Sequence, residues 1–194
     1  MLGALAPEIL IHSSLHDTEE RLSVCSFMCI DTAPPSTFGG SSSGPSGAVG
    51  SSAITSYFVD VEIEGERQGD FEFVVDFKDI KSYTRAICDE LDHRLLIPIY
   101  NNLIYIKDFD KKKDSIFTLK KLKTFSFKIN KKGYSLPSQD CVFLPLPYTS
   151  AEELAKFFAE TLAKKLSEDY KNLEYVSVCV NEGIGQGALY RKDL

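Results

Sequence analysis

Few residues of this chain have the types and spacing that chemistry needs. Asp92 and His93 are adjacent. A carboxylate beside an imidazole fixes its tautomer and stabilises its charged form, as in a proton-relaying pair. By residue physics alone the same two also suit a helix end, with Asp92 terminating the helix and His93 packing near it. Glu182 closes an apolar run just before Gly183, which fits a turn residue equally well. His12 and His16 stand four apart, and on a helix they share a face as two metal ligands do. No Glu stands beside His12 and no third ligand is evident, so a solvated or partner-facing pair accounts for them. Cys25 and Cys29 lie on strand-like sequence. There a spacing of four leaves them roughly 13 Å apart, which reads as two small buried hydrophobes. Gly183-x-Gly185-x-Gly187 follows a strand but opens no helix, so it is no dinucleotide fingerprint.

The composition limits what such residues can serve. The chain has 194 residues, 22 Lys plus Arg against 28 Asp plus Glu, and a net charge of −6. So acidic a balance makes a poor general binder of phosphate backbones, and no nucleic-acid partner is expected. No run reaches the ~18 apolar residues of a membrane span. The segment Met1 to Leu10 lacks a basic start, and the five Cys form no even framework. Both point to a reducing, cytoplasmic setting. Charge is unevenly spread: Lys107 to Lys132 holds ten Lys against three Asp, about +7, and the rest of the chain is about −13. That segment suits an acidic partner or an anionic phosphate tail, or simply a hairpin with a solvated face.

The elements follow from hydrophobic period. Leu22 to Ile30 predicts a strand, and Thr32 to Ser52, uncharged and rich in Gly, Ser and Pro, predicts a flexible loop. Tyr57, Val59, Val61 and Ile63 alternate with Asp60, Glu62 and Glu64, predicting a half-buried strand over Ser56 to Gly65. Phe71 to Phe77 predicts its hairpin partner. Ile80, Tyr83, Ile87 and Leu91 form a helical stripe over Asp79 to His93. Asn102–Ile106, Ser115–Leu119 and Thr124–Ile129 are strand-like, with a turn at Lys131-Lys132-Gly133. Leu154, Phe158, Leu162 and Leu166 mark the clearest helix, Thr149 to Tyr170, with Ser150 and Glu153 at capping-box spacing. Leu173 to Val180 predicts a last strand, which Gly187 to Arg191 continues. The order predicts an α+β fold: an antiparallel sheet with two helices on one face. The organisation expected is an N-terminal extension (1–21) and one domain (22–194), with a loop at 32–55 and a β-rich insertion at 98–147.

At this point the motifs resemble a family. Phe73-Val74-Val75-Asp76-Phe77 with Glu90-Leu91-Asp92-His93, then Thr149-Ser150-Ala151-Glu152-Glu153-Leu154-Ala155, then Val178-Cys179-Val180-Asn181-Glu182 resemble, in order, the 6-pyruvoyltetrahydropterin and 6-carboxytetrahydropterin synthases. The insertion, with Asp140-Cys141-Val142 before the helix, is similar to the variant of protozoan parasites. The resemblance implies the tunnelling fold, a four-stranded antiparallel sheet with two helices. It also implies self-association as trimer or hexamer, or incorporation in a larger complex. Its reaction is triphosphate elimination from 7,8-dihydroneopterin triphosphate. It implies that Asp92 and His93 relay protons, and that Glu182, with Ser150, holds the pterin.

The resemblance further implies zinc on three His, one closing the first strand and two in a His-x-His pair before the second. Three imidazoles leave an open position at which zinc polarises substrate oxygens. Here the three positions fall on Asp31, Ala53 and Thr55. The family's base, a Cys or Glu in the preceding loop, has no counterpart in Thr32 to Ser52. The full family site takes four His, and this chain has three in all. The expectation is therefore a pterin-binding member with no zinc cofactor and impaired catalysis. The alternative is a non-catalytic structural or interaction subunit that kept the fold. A transcript lacking the exon for this segment would read out the same departure.

Overall fold

The computed structural model describes residues 24–32, 55–70, 72–129, 131–183 and 186–194, with 24–32, Thr55 and Gly183 described by backbone alone. In chain order the elements are β1 (Val24–Thr32), β2 (Thr55–Gly65), α1 (Phe77–Leu91), β3 (Leu95–Pro98), β4 (Ile104–Ile106), α2 (Ile116–Lys120), β5 (Thr124–Ile129), β6 (Lys132–Pro137), β7 (Cys141–Leu144), α3 (Ala151–Asp169), β8 (Leu173–Gly183) and β9 (Gln186–Asp193). They form two compact units. Ser56–Glu90 and Thr149–Leu194, with 24–30, make the first; Leu91–Tyr148 makes most of the second. The expected loop over Thr32 to Ser52 and the extension at 1–21 lie outside the described residues, apart from Thr32 at the end of β1.

In the first unit the sheet order is β1-β2-β8-β9. The alternation of β2 does its expected work: Val59, Val61 and Ile63 are buried, and so are Val176, Val178 and Val180 of β8. β2 pairs antiparallel with β8 (Val59↔Val180, Val61↔Val178), and β8 pairs antiparallel with β9 (Val178↔Tyr190). Helix α3 packs on β8 and β9. Its stripe of Leu154, Phe158, Leu162 and Leu166 is buried, each side chain contributing about 1.5–3 kcal/mol. In α1, Ile80, Ile87 and Leu91 are buried. The helices are tied by tyrosines: the Tyr170 hydroxyl donates to Asp79 at 2.5 Å and the Tyr83 hydroxyl to Asp169 at 2.6 Å.

Four expectations about this unit need correction. Among the described residues, 72–77 form no return strand, and the bridge Gln68↔Phe73 ties them to the segment after β2. The backbone turns at Gly69 (φ 74°) and Glu72 (φ 52°), and Val74 and Val75 are both buried, which breaks the period of two. Asp76 then caps α1, its carboxylate accepting from the Lys78 N–H at 2.8 Å. The helix therefore starts at Phe77 and stops at Leu91, leaving Asp92 and His93 beyond it. Gly187 to Arg191 is not a continuation of β8 but part of the separate strand β9, which pairs antiparallel with β8. Ser150 precedes α3 but makes no side-chain cap bond. The neighbouring Ser150 hydroxyl and the helix-start backbone hold the Glu152 carboxyl below the usual range.

The joint between β2 and β8 is unusually tight. Gly65 lies so near Asn172 that a Cβ there would sit 2.3 Å from the Asn172 carbonyl oxygen. The buried Asn172 amide donates to the Glu66 and Val74 carbonyls at 2.6 and 2.7 Å, so one side chain satisfies two backbone acceptors.

In the second unit β4, β5 and β6 form an antiparallel sheet, and β3 and β7 a parallel pair. Phe125 and Phe127 are buried while Lys128 is exposed, so the expected hairpin with a solvated face is present. Of the expected turn only Lys131 lies outside the strands, because Lys132 and Gly133 already belong to β6. Ser115–Leu119 is helical, not a strand: the Ser115 hydroxyl caps α2 by accepting from the Phe117 N–H. A five-residue apolar run does not distinguish the two by period. The β3–β7 pair went unread because its strands are short, continuously apolar runs, as parallel strands buried on both faces are.

Candidate functional site

Glu182 lies in β8, not in a turn. Tyr57 is on β2, and the register Phe58↔Asn181 makes Tyr57 and Glu182 the next facing positions. The parity of both strands puts them on the side of Val59 and Val180, the side α3 covers. The Tyr57 side chain is buried. Its hydroxyl donates to the Thr149 carbonyl oxygen at 3.4 Å, just before α3, and feels the charge of the Glu182 carboxylate. Burial, reinforced by the Glu182 charge, pushes the Tyr57 hydroxyl up to about 12. Glu182 itself is exposed and Ser150 half-buried. The first unit thus brings Glu182, Tyr57 and the start of α3 together. The sequence reading placed Tyr57 in an apolar stripe and missed its partnership with Glu182. The signal available was its place opposite Glu182 at the strand end.

Across the sheet, a polar group went unread. The Asn181 amide donates to Asp60 at 3.0 Å, and the Cys179 thiol lies 3.5 Å from the Asn181 oxygen. Burial raises the Asp60 carboxyl and, with the Asp60 charge, the Cys179 thiol. A Cβ at Gly187 would meet the Asn181 oxygen at 2.0 Å, so the bare backbone there makes room for this group.

Asp92 and His93 belong to the second unit. The His93 Nδ1 and an Asp92 carboxylate oxygen are 2.7 Å apart, and the His93 side chain is 69% exposed. The sequence expected these two to interact, and they do. His93 has φ 55°, a left-handed conformation that a non-glycine residue adopts at a cost of roughly 1–2 kcal/mol.

Of the positions aligned with zinc ligands, Ala53 lies outside the described residues, and Asp31 and Thr55 are described by backbone alone. The chemistry of the set decides the fit: an alanine side chain has no donor atom, and a carboxylate with a hydroxyl is not a three-ligand zinc centre. These residues do not fit the metal, and no step is derived through it. His12, His16, Cys25 and Cys29 also lie beyond the side chains described. Among the described residues no three His, Cys, Asp or Glu side chains converge, and no helix is long and apolar enough to cross a membrane.

Known proteins share both the sequence and the fold. Residues 55–193 match the family described as 6-pyruvoyl tetrahydropterin synthase. A curated relative from Methanocaldococcus jannaschii, named a putative 6-carboxy-5,6,7,8-tetrahydropterin synthase, is 46% identical over 140 residues, 72% of this chain and 78% of the relative. The crystal structure of 6-pyruvoyl tetrahydropterin synthase from Plasmodium vivax superposes with a TM-score of 0.60 at 25% identity, covering 72% of this chain and 80% of that one. A catalytic-residue mutant of the Plasmodium vivax enzyme gives 0.65 at 20% identity, covering 91% of this chain and all (100%) of that one. The four-stranded sheet described above is that of the tunnelling fold, and this chain belongs to the 6-pyruvoyl tetrahydropterin synthase family of pterin biosynthesis.

Proposed function

We propose that the chain binds a pterin at Glu182 and carries out the family's triphosphate elimination weakly or not at all. The observation that carries the binding half is the exposed Glu182 carboxylate near the end of β8, opposite Tyr57 and beside the start of α3. An exposed carboxylate can accept two parallel hydrogen bonds from the amino group and ring N–H of a pterin. Ser150, at the start of α3, is the nearby hydroxyl proposed to complete the contact. Asp92 and His93 are the proposed proton-relaying pair, the carboxylate fixing the imidazole tautomer.

The impairment is read from the residues at the aligned metal positions. Asp31, Ala53 and Thr55 supply no imidazole, and the loop before them supplies no base. The proposed ligand class is a dihydropterin bearing a triphosphate side chain. Self-association as a trimer or hexamer is the proposed assembly, following the family, in a cytoplasmic setting. The test is calorimetric titration of a pterin into the intact chain, alongside turnover of 7,8-dihydroneopterin triphosphate. Binding without turnover supports the reading; no binding, or zinc-dependent turnover at a normal enzymatic rate, contradicts it.

A further inference from the structure

The second unit holds a pocket that the pterin reading does not use. β4, β5 and β6 bury Ile104, Ile106, Phe125, Phe127 and Leu136. By the alternation of strands, the opposite face presents two rows of side chains. One runs Tyr105, Lys128, Gly133, and the other Lys107, Ser126, Ser135. The pairings Tyr105↔Lys128, Lys128↔Gly133 and Ser126↔Ser135 fix those rows, and the Lys107 N–H bonds the Ser126 carbonyl at 2.9 Å. Three tall side chains, Tyr105, Lys107 and Lys128, therefore stand along one side of three small ones. The depression between them is a pocket of about 440 Å³, within the range of roughly 300–1,000 Å³ that small-molecule sites occupy.

The chemistry of the lining is specific. Tyr105 is 64% exposed, an aromatic surface held out of the core. Aromatic faces exposed on a sheet are stacking platforms for nucleobases. Lys107 and Lys128 are diagonal neighbours, roughly 7–8 Å apart at the backbone, and neither has an acidic partner among the described residues. Two unpaired ammonium groups so close repel one another, and a multiply charged anion relieves that repulsion. The surrounding excess of ten Lys over three Asp between Lys107 and Lys132 reinforces the attraction. The Ser126 and Ser135 hydroxyls lie 3.3 Å apart and can bond further to sugar hydroxyls. A Cβ at Gly133 would meet nothing within 4 Å, so the floor there is open space.

We propose that this face binds a nucleoside di- or triphosphate, with the base on Tyr105, the phosphates between Lys107 and Lys128, and the sugar over Ser126, Ser135 and Gly133. A single open depression of this volume on a three-stranded sheet matches a mononucleotide better than a polymer. This inference does not rest on the pterin reading.

The test is titration of ATP and of GTP into the full chain at low salt. Wild type binds one of them with affinity that falls as salt rises. Tyr105→Ala and the double variant Lys107→Ala/Lys128→Ala each weaken binding at least about tenfold, or 1.4 kcal/mol, and the double variant also flattens the salt dependence. Gly133→Leu fills the floor and weakens binding with unchanged charge, while its open surroundings leave melting unaltered. Glu182→Gln leaves nucleotide affinity unchanged, which separates this face from the proposed pterin anchor. The inference is overturned if wild type binds neither nucleotide at millimolar concentration. It is equally overturned if the Tyr105 and lysine variants bind as wild type does, or if a single-stranded oligonucleotide outcompetes the mononucleotide tenfold.

Discussion

Tyr57 and Glu182 face each other one register step beyond the pair Phe58↔Asn181, and the Tyr57 hydroxyl donates to the Thr149 carbonyl at the start of α3. That relationship joins strand pairing, core packing and the proposed ligand site at one strand-end pair. It also has a pH signature. The Tyr57 hydroxyl is raised from 10.0 to about 12, by burial first and by Glu182 second. A raised folded-state value favours the protonated form, so its stabilisation is complete below the unfolded value of 10.0 and is lost as pH rises toward about 12. Tyr57→Phe should therefore show a shallower loss of stability between those two values than wild type. Some slope remains, because Tyr83 is also raised to about 12. Urea melts across alkaline pH measure this, and parallel slopes for the two proteins would contradict it.

The joint at Gly65 and Asn172 is expected to govern stability, not ligand binding. Asn172→Ala leaves the Glu66 and Val74 carbonyls without their donor, at about 1–3 kcal/mol for each one that stays buried and unpaired. For a chain of this size each kcal/mol lowers Tm by roughly 2–4 °C. Gly65→Ala should destabilise as well, since its Cβ meets a backbone oxygen that cannot move aside. Thermal melts check both, and unchanged Tm in either variant would contradict the tight joint.

His93 offers the opposite sign. At φ 55° a glycine avoids the steric cost that the imidazole residue bears. His93→Gly should raise stability by about 1 kcal/mol, since the Asp92 pair it removes is exposed and contributes little. Any residual elimination activity should fall in the same variant. A destabilised His93→Gly would show that the Asp92 contact outweighs the backbone strain.

Legibility of the fold tracked the strength of its periodic signals. β2 and α3 were readable because Val59, Val61, Ile63 and the Leu154–Leu166 stripe repeat at the periods of two and 3.6 that burial on one face imposes. The 72–77 segment was misread because Val74 and Val75 are both buried for a joint made with Asn172, a residue nearly a hundred positions away. Helix α2 and the β3–β7 pair were lost to the ambiguity of short apolar runs. At the site, the bond between Asp92 and His93 was legible because they are adjacent. The environment of Glu182 was not, because its partner Tyr57 is joined to it only through strand register.

Turnover should separate scaffold from chemistry. With Ala53 and Thr55 at the aligned metal positions, 7,8-dihydroneopterin triphosphate should be consumed no faster by the intact chain with added zinc than by the chain with a chelator. Stoichiometric zinc in the purified protein together with zinc-dependent turnover would contradict the impairment.

The most direct test of the central claim is calorimetric titration of 7,8-dihydroneopterin into wild type and Glu182→Ala, with melting curves confirming that both are folded. The account predicts saturable binding by wild type, weakened at least about tenfold in the variant, as expected for charge-assisted hydrogen bonds of about 1.5–3 kcal/mol each. Equal affinity in the two proteins, or no binding by wild type, would contradict it.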